Sequence, residues 1–121
     1  MTLLAQIFTG LTALLHVGFL VLEMFLWTKP AGRRIFRMTA PQAEATRVLA
    51  ANQGLYNGFL AAGLGWSLLA SPPVFAGQLQ LFFLVCVVIA AIYGAWSVSA
   101  RILLVQGAPA MLALLFTVLA P

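Results

Sequence analysis

The stretch Thr9 to Trp27, TGLTALLHVGFLVLEMFLW, limits most sharply what this chain can fold into. A helix needs about 20 apolar residues to cross a bilayer core of ~30 Å, and this run supplies them. Yet it holds the only histidine of the chain, His16, and one of its two acids, Glu23. Seven helical steps of ~100° return Glu23 to within about 20° of His16, ~10 Å further along the axis. Thr9, Thr12 and Trp27 fall on the same stripe. A polar stripe on a spanning helix is costly against lipid and should face protein or a wet cavity, which makes it the first functional candidate.

The rest of the composition agrees. Of the 121 residues 64% are hydrophobic and 7% charged, with a mean hydropathy of +1.09. A soluble domain carries about 25% charged residues, so the chain reads as a polytopic membrane protein of one domain. The formal charge of +4 then reports orientation and does not indicate a nucleic-acid partner. The single cysteine, Cys86, excludes an internal disulfide and a multi-cysteine metal site. No basic segment precedes the first apolar run and no small-residue cleavage motif follows it, so the run is expected to stay as a helix.

Four spanning helices are expected, at about 3–27, 45–69, 77–99 and 103–120, in a compact all-α bundle forming one domain, 1–121. The hydrophilic segment 28–47 is the loop between the first two. Within it Thr39 precedes Gln42 by three residues, the spacing of a helix-starting capping box, and a short surface helix is expected to follow. Ser71-Pro72-Pro73 ends the second helix. The last helix is short, with a turn expected at Gln106-Gly107 and Pro109 in its first turn. Lys29, Arg33, Arg34, Arg37 and Arg47 lie between helices 1 and 2, and Arg101 between helices 3 and 4. With four crossings both loops are cytoplasmic and both termini lie on the outer side of a bacterial inner membrane.

In that arrangement Glu23 lies near the cytoplasmic surface and His16 nearer the midplane. On helix 2 Asn52 and Gln53 are expected at a depth near Glu23 and Tyr56 and Asn57 closer to His16, the four covering an arc of about 140°. Tyr93 and Ser97 reach the same level on one face of helix 3, and Gln106 lies at the cytoplasmic start of helix 4. The outer half would be Leu, Ala, Phe and Val, so a pocket open to the cytoplasmic leaflet is expected. A buried carboxyl and an imidazole could flank a ligand as acid and base, with Tyr56 completing a catalytic set of Glu23, His16 and Tyr56. Trp27, Asn52, Gln53, Asn57, Tyr93, Ser97 and Gln106 would line the binding site. No metal-ligand spacing, phosphate loop or second histidine for haem is present, so no metal and no cofactor are assigned. Gly54 and Gly58, a small-xxx-small pair, read as a close helix contact.

The blocks HVGFLVLEMFLW, FRMT, ANQGLYNGFLAAGL and IYGAWSVSARILLVQGAPA resemble the small bacterial integral membrane proteins of domain-of-unknown-function family 1304. The resemblance implies a four-helix membrane protein and marks His16, Glu23, Trp27, Asn52, Gln53, Tyr56, Asn57, Tyr93, Gln106 and Pro109; it implies no activity. Three classes of function follow. One is a membrane-embedded binder of a small lipophilic molecule, with isomerase-like acid/base chemistry that looks in outline like the emopamil-binding sterol isomerases. Another is a proton-coupled exporter, similar to the small multidrug-resistance transporters in its first-helix Glu. The third is a structural or assembly protein. Membrane lipids are the expected partners, and self-association is compatible with each class.

Overall fold

The computed structural model describes residues 2–120, and all regular elements among them are helical. They are α1 (Leu3–Met24), α2 (Pro30–Ile35), α3 (Ala40–Leu69), α4 (Pro73–Ser97), α5 (Ala100–Ile102), a π-helical turn over Leu103–Gly107, and α6 (Ala108–Val118).

Among the described residues three helices are long and apolar enough to cross a membrane: Leu3–Met24, Pro73–Ser97 and the continuous helical stretch Ala100–Val118. This marks a multi-pass membrane protein and corrects the expectation of four spans. The helix that drops out is α3. Its 30 residues are ample in length, but Glu44, Arg47, Asn52, Gln53 and Asn57 dilute its apolar content below that of a span. The same amides that pointed to a site disqualify the helix. Within the spans only a minority of residues is buried, and large apolar side chains such as Leu3, Leu14 and Ile89 are exposed, as a lipid-facing surface requires.

The chain forms two compact units. One joins the residues up to Leu15 to those from Leu60 onward. Its core is Leu64, Leu84, Val87, Ala110 and Ala113, all fully buried. Phe8, Ala13, Leu60, Phe83, Val88 and Leu114 pack around it. Gly63 makes room for the Phe83 ring, which lies 2.3 Å from where a Cβ would stand. The chain turns from α3 into α4 at Ser71-Pro72-Pro73, as expected, through a cis Ser71–Pro72 bond. No turn forms at Gln106-Gly107: the backbone stays helical from Ala100 to Val118 and widens into the π turn instead.

The second unit is His16–Phe59. After α1 ends at Met24, Lys29 takes an extended conformation and Pro30 opens the six-residue α2. Pro is suited there, since the first helical N–H has no partner to lose. Gly32 lies against the end of α1 so closely that a Cβ would stand 2.0 Å from Leu26 O. The helix stops in a Schellman motif: Met38 N–H donates to Arg33 O at 2.9 Å, and Arg37 sits at φ 53°, the left-handed position glycine usually fills.

α3 begins with the capping box read from the sequence. Thr39 N–H donates to Gln42 Oε1 at 3.0 Å and Gln42 N–H to Thr39 Oγ1 at 3.3 Å. The surface helix and the second long helix expected as separate pieces are one continuous element. Thr39→Ala removes half of the cap and is expected to lower stability by about 1 kcal/mol. The thermal midpoint of the detergent-solubilised protein is the check; an unchanged midpoint would mean that Pro41 and packing alone hold the helix start.

Candidate functional site

Within His16–Phe59 the structure brings together one carboxyl and one amide. Glu23 and Asn57 are 9% and 8% exposed, and Asn57 Nδ2 donates to Glu23 Oε1 at 2.6 Å. The glycines explain why they meet. A Cβ on Gly54 would lie 2.7 Å from Met24 Cγ, 3.1 Å from Glu23 Cβ and 3.2 Å from Leu20 O, and one on Gly58 2.6 Å from Leu20 Cδ1. With no side chain at either position, the latter part of α1 lies directly on the middle of α3, as the small-xxx-small spacing predicts. Asn57 is three residues past Gly54 and shares its face.

The partner of Glu23 is thus a neutral amide and not a cation. The bond leaves Glu23 Oε2, the second Asn57 N–H and the Asn57 carbonyl to engage something else. His16 is fully buried two turns back along α1, with Phe19 edge-on at 5.5 Å. Trp27 is half-buried; its Nε1–H donates to Thr46 Oγ1 at 3.0 Å, and Thr46 in turn donates to Gln42 O at 2.8 Å.

The other members of the arc on α3 turn outward. Tyr56 is 66% exposed, its ring edge-on to Phe59. Gln53 is exposed, and so is Asn52, whose Nδ2 donates to Val48 O on its own helix at 3.0 Å. Of Asn52, Gln53, Tyr56 and Asn57, only Asn57 reaches the buried carboxyl.

These features can be set beside known proteins. The family described as protein of unknown function (DUF1304) matches residues 10–118. The chain belongs to the DUF1304 family. The match takes in Glu23, Asn57, Gly54, Gly58 and the basic segment. The uncharacterized protein YpaA of Lactococcus lactis subsp. lactis (strain IL1403) is similar at 33% identity over 119 residues, 95% of this chain and 97% of that protein. No solved structure matches significantly.

In this DUF1304 chain the remaining candidates belong to the other unit. Tyr93 is exposed and, with Ile89, Ile92 and Trp96, lines an open apolar groove of about 350 Å³. Ser97 is exposed and donates to Tyr93 O at 2.7 Å. Gln106 is half-buried inside the π turn.

That unit also holds a polar contact the sequence reading missed. Gln80 is fully buried; its Nε2 donates to Thr9 Oγ1 and reaches Ala5 O at 3.4 Å, while its Oε1 is buried without a partner. Ser67 is buried as well and donates to Leu64 O at 2.6 Å. Thr9 and Ala5 lie toward the start of α1. A lone glutamine in the run LQLFFL was the available signal, because an amide inside a span needs a partner. No cluster of three or more His, Cys, Asp or Glu that could hold a metal exists among the described residues.

Proposed function

We propose that this protein binds a small lipophilic molecule within the membrane, using the Glu23–Asn57 pair as its polar anchor. The observation that carries the reading is the buried hydrogen bond of 2.6 Å between them. An ionisable group in a span is expensive to keep, and such groups most often mark a ligand or ion path. The pair offers one carboxylate oxygen, one amide N–H and one amide carbonyl to a ligand carrying a hydroxyl, amine or carbonyl on an apolar body. Binding is better supported than isomerase-like turnover, because the third member of the catalytic set, Tyr56, faces outward. The basic segment 29–47 is placed on the cytoplasmic side of the bacterial membrane by the positive-inside rule.

A structural reading has its own support in Gly54 and Gly58, since the pair sits where the helices approach most closely. One experiment separates the two. Small molecules co-purifying with the detergent-solubilised protein are identified by mass spectrometry for wild type and Glu23→Gln. The binding reading expects one lipophilic species on wild type, depleted on the order of tenfold on a variant that melts normally, a loss of about 1.4 kcal/mol of affinity. Identical profiles with an earlier melt of the variant would leave the pair as a helix lock.

A further inference from the structure

The cationic charge of the segment after α1 has no counterpart within the protein. Lys29, Arg33, Arg34 and Arg37 fall in nine consecutive residues, and the chain has two acids in all. Both acids are engaged elsewhere: Glu23 is buried on Asn57, and Glu44 pairs with Arg47 at 3.2 Å. No side-chain carboxylate is left to balance the four cations, so their counter-charge must come from outside.

The local geometry says where that charge would lie. Gly32 seats α2 against the backbone of Leu26 and Trp27, a few residues past the end of a spanning helix. The cations are therefore held at the depth of the lipid headgroups. Between them Ile35 and Phe36 are 46% and 37% exposed, and the Phe36 ring packs on Trp27 at 4.8 Å. Exposed apolar side chains among basic ones suit the boundary between headgroup and acyl chain and do not suit a purely aqueous partner.

Two further details ask for an anion. The Arg33 Nε–H is buried and makes no hydrogen bond, an arrangement proteins seldom keep. A modest turn of the guanidinium would present Nε and a terminal nitrogen side by side to a phosphate, the bidentate geometry arginine favours. Arg37 occupies a left-handed position where glycine would be unstrained, so a side chain is kept there against a backbone cost.

The geometry points to a binding site for the phosphate of an anionic phospholipid, formed by Lys29, Arg33, Arg34 and Arg37, with Ile35 and Phe36 against the first acyl carbons. The phosphate takes the place of the missing carboxylates, and the lipid fixes the segment to one leaflet.

The test uses the full chain in neutral detergent micelles, titrated with phosphatidylglycerol, with phosphatidylcholine, or with inorganic phosphate. Retained lipid is read by native mass spectrometry and stabilisation by thermal unfolding. Wild type should retain phosphatidylglycerol over phosphatidylcholine on the order of tenfold and melt later with it. Arg33→Gln should lose most of that preference. Arg37→Gly, which suits the backbone and keeps the fold, should lose several-fold, and so should Arg34→Gln. Equal retention of the two lipids overturns the proposal. So does equal stabilisation by inorganic phosphate alone, or a preference untouched in folded Arg37→Gly and Arg34→Gln.

Discussion

Alanine at position 32 should detach α2 from the end of α1 and cost about 3 kcal/mol or more. In an ordinary helix this exchange is favourable by ~1 kcal/mol, because alanine has less backbone freedom to lose. Here the new methyl would stand 2.0 Å from Leu26 O, 2.7 Å from Leu26 C and 3.1 Å from Trp27 Cα. All three are backbone atoms, so no rotamer change relieves the clash and the segment itself must move. Overpacking that forces backbone shifts costs ~1–3 kcal/mol and at times more, and a collision with a carbonyl belongs at the upper end. Limited trypsin digestion provides the measurement. Cleavage after Arg33, Arg34 and Arg37 should speed up many-fold in Gly32→Ala, together with an earlier melt. Wild-type rates would mean that α2 does not lie on Leu26.

Leucine at position 54 should have the second large effect, and alanine there a graded one. Met24 Cγ belongs to a flexible side chain and can give way, but Glu23 Cβ at 3.1 Å and Leu20 O at 3.2 Å cannot. Gly54→Ala is therefore expected to cost about 1 kcal/mol and Gly54→Leu about 3 kcal/mol. Part of the larger loss is the Asn57–Glu23 bond, which does not survive the separation of the helices and is itself worth ~0.6–2 kcal/mol in a membrane. A double-mutant cycle with Asn57→Ala isolates that part: the combined variant should lose less than the sum of the single losses. Strict additivity would show that Gly54 does not hold the pair together.

What could be read beforehand follows the range of the interaction. The capping box at Thr39 and Gln42 spans three residues and needs only helical geometry, so spacing alone reveals it. Glu23 is conspicuous because an acid in an apolar run has few uses. The contact with Asn57 was within reach, since Gly54 and Gly58 mark the contact face and Asn57 lies beside it. The failures have an equally physical origin. An arc of about 140° is wider than the strip one helix can bury against a single neighbour, so Tyr56, Gln53 and Asn52 are left outside. Reading α3 as a fourth span gave weight to its flanking leucines and alanines and too little to the summed polarity of its amides. Gln80 and Thr9 lie seventy-one residues apart, and no local pattern pairs residues at that distance. α2 went unseen because six residues carry too short a period to detect.

The π turn at Leu103–Gly107 has a consequence for how the last helix keeps count. A π turn accommodates one more residue than an α-turn, and each residue of an α-helix advances the chain by ~100° around the axis. Everything after Gly107 is thus out of phase with everything before Leu103, like a thread restarted a quarter-turn late. The swollen backbone fits because Gly107 is bare: a Cβ there would sit 3.0 Å from that of Ala91. A side chain at position 107 is therefore expected to push the π turn away from Ala91.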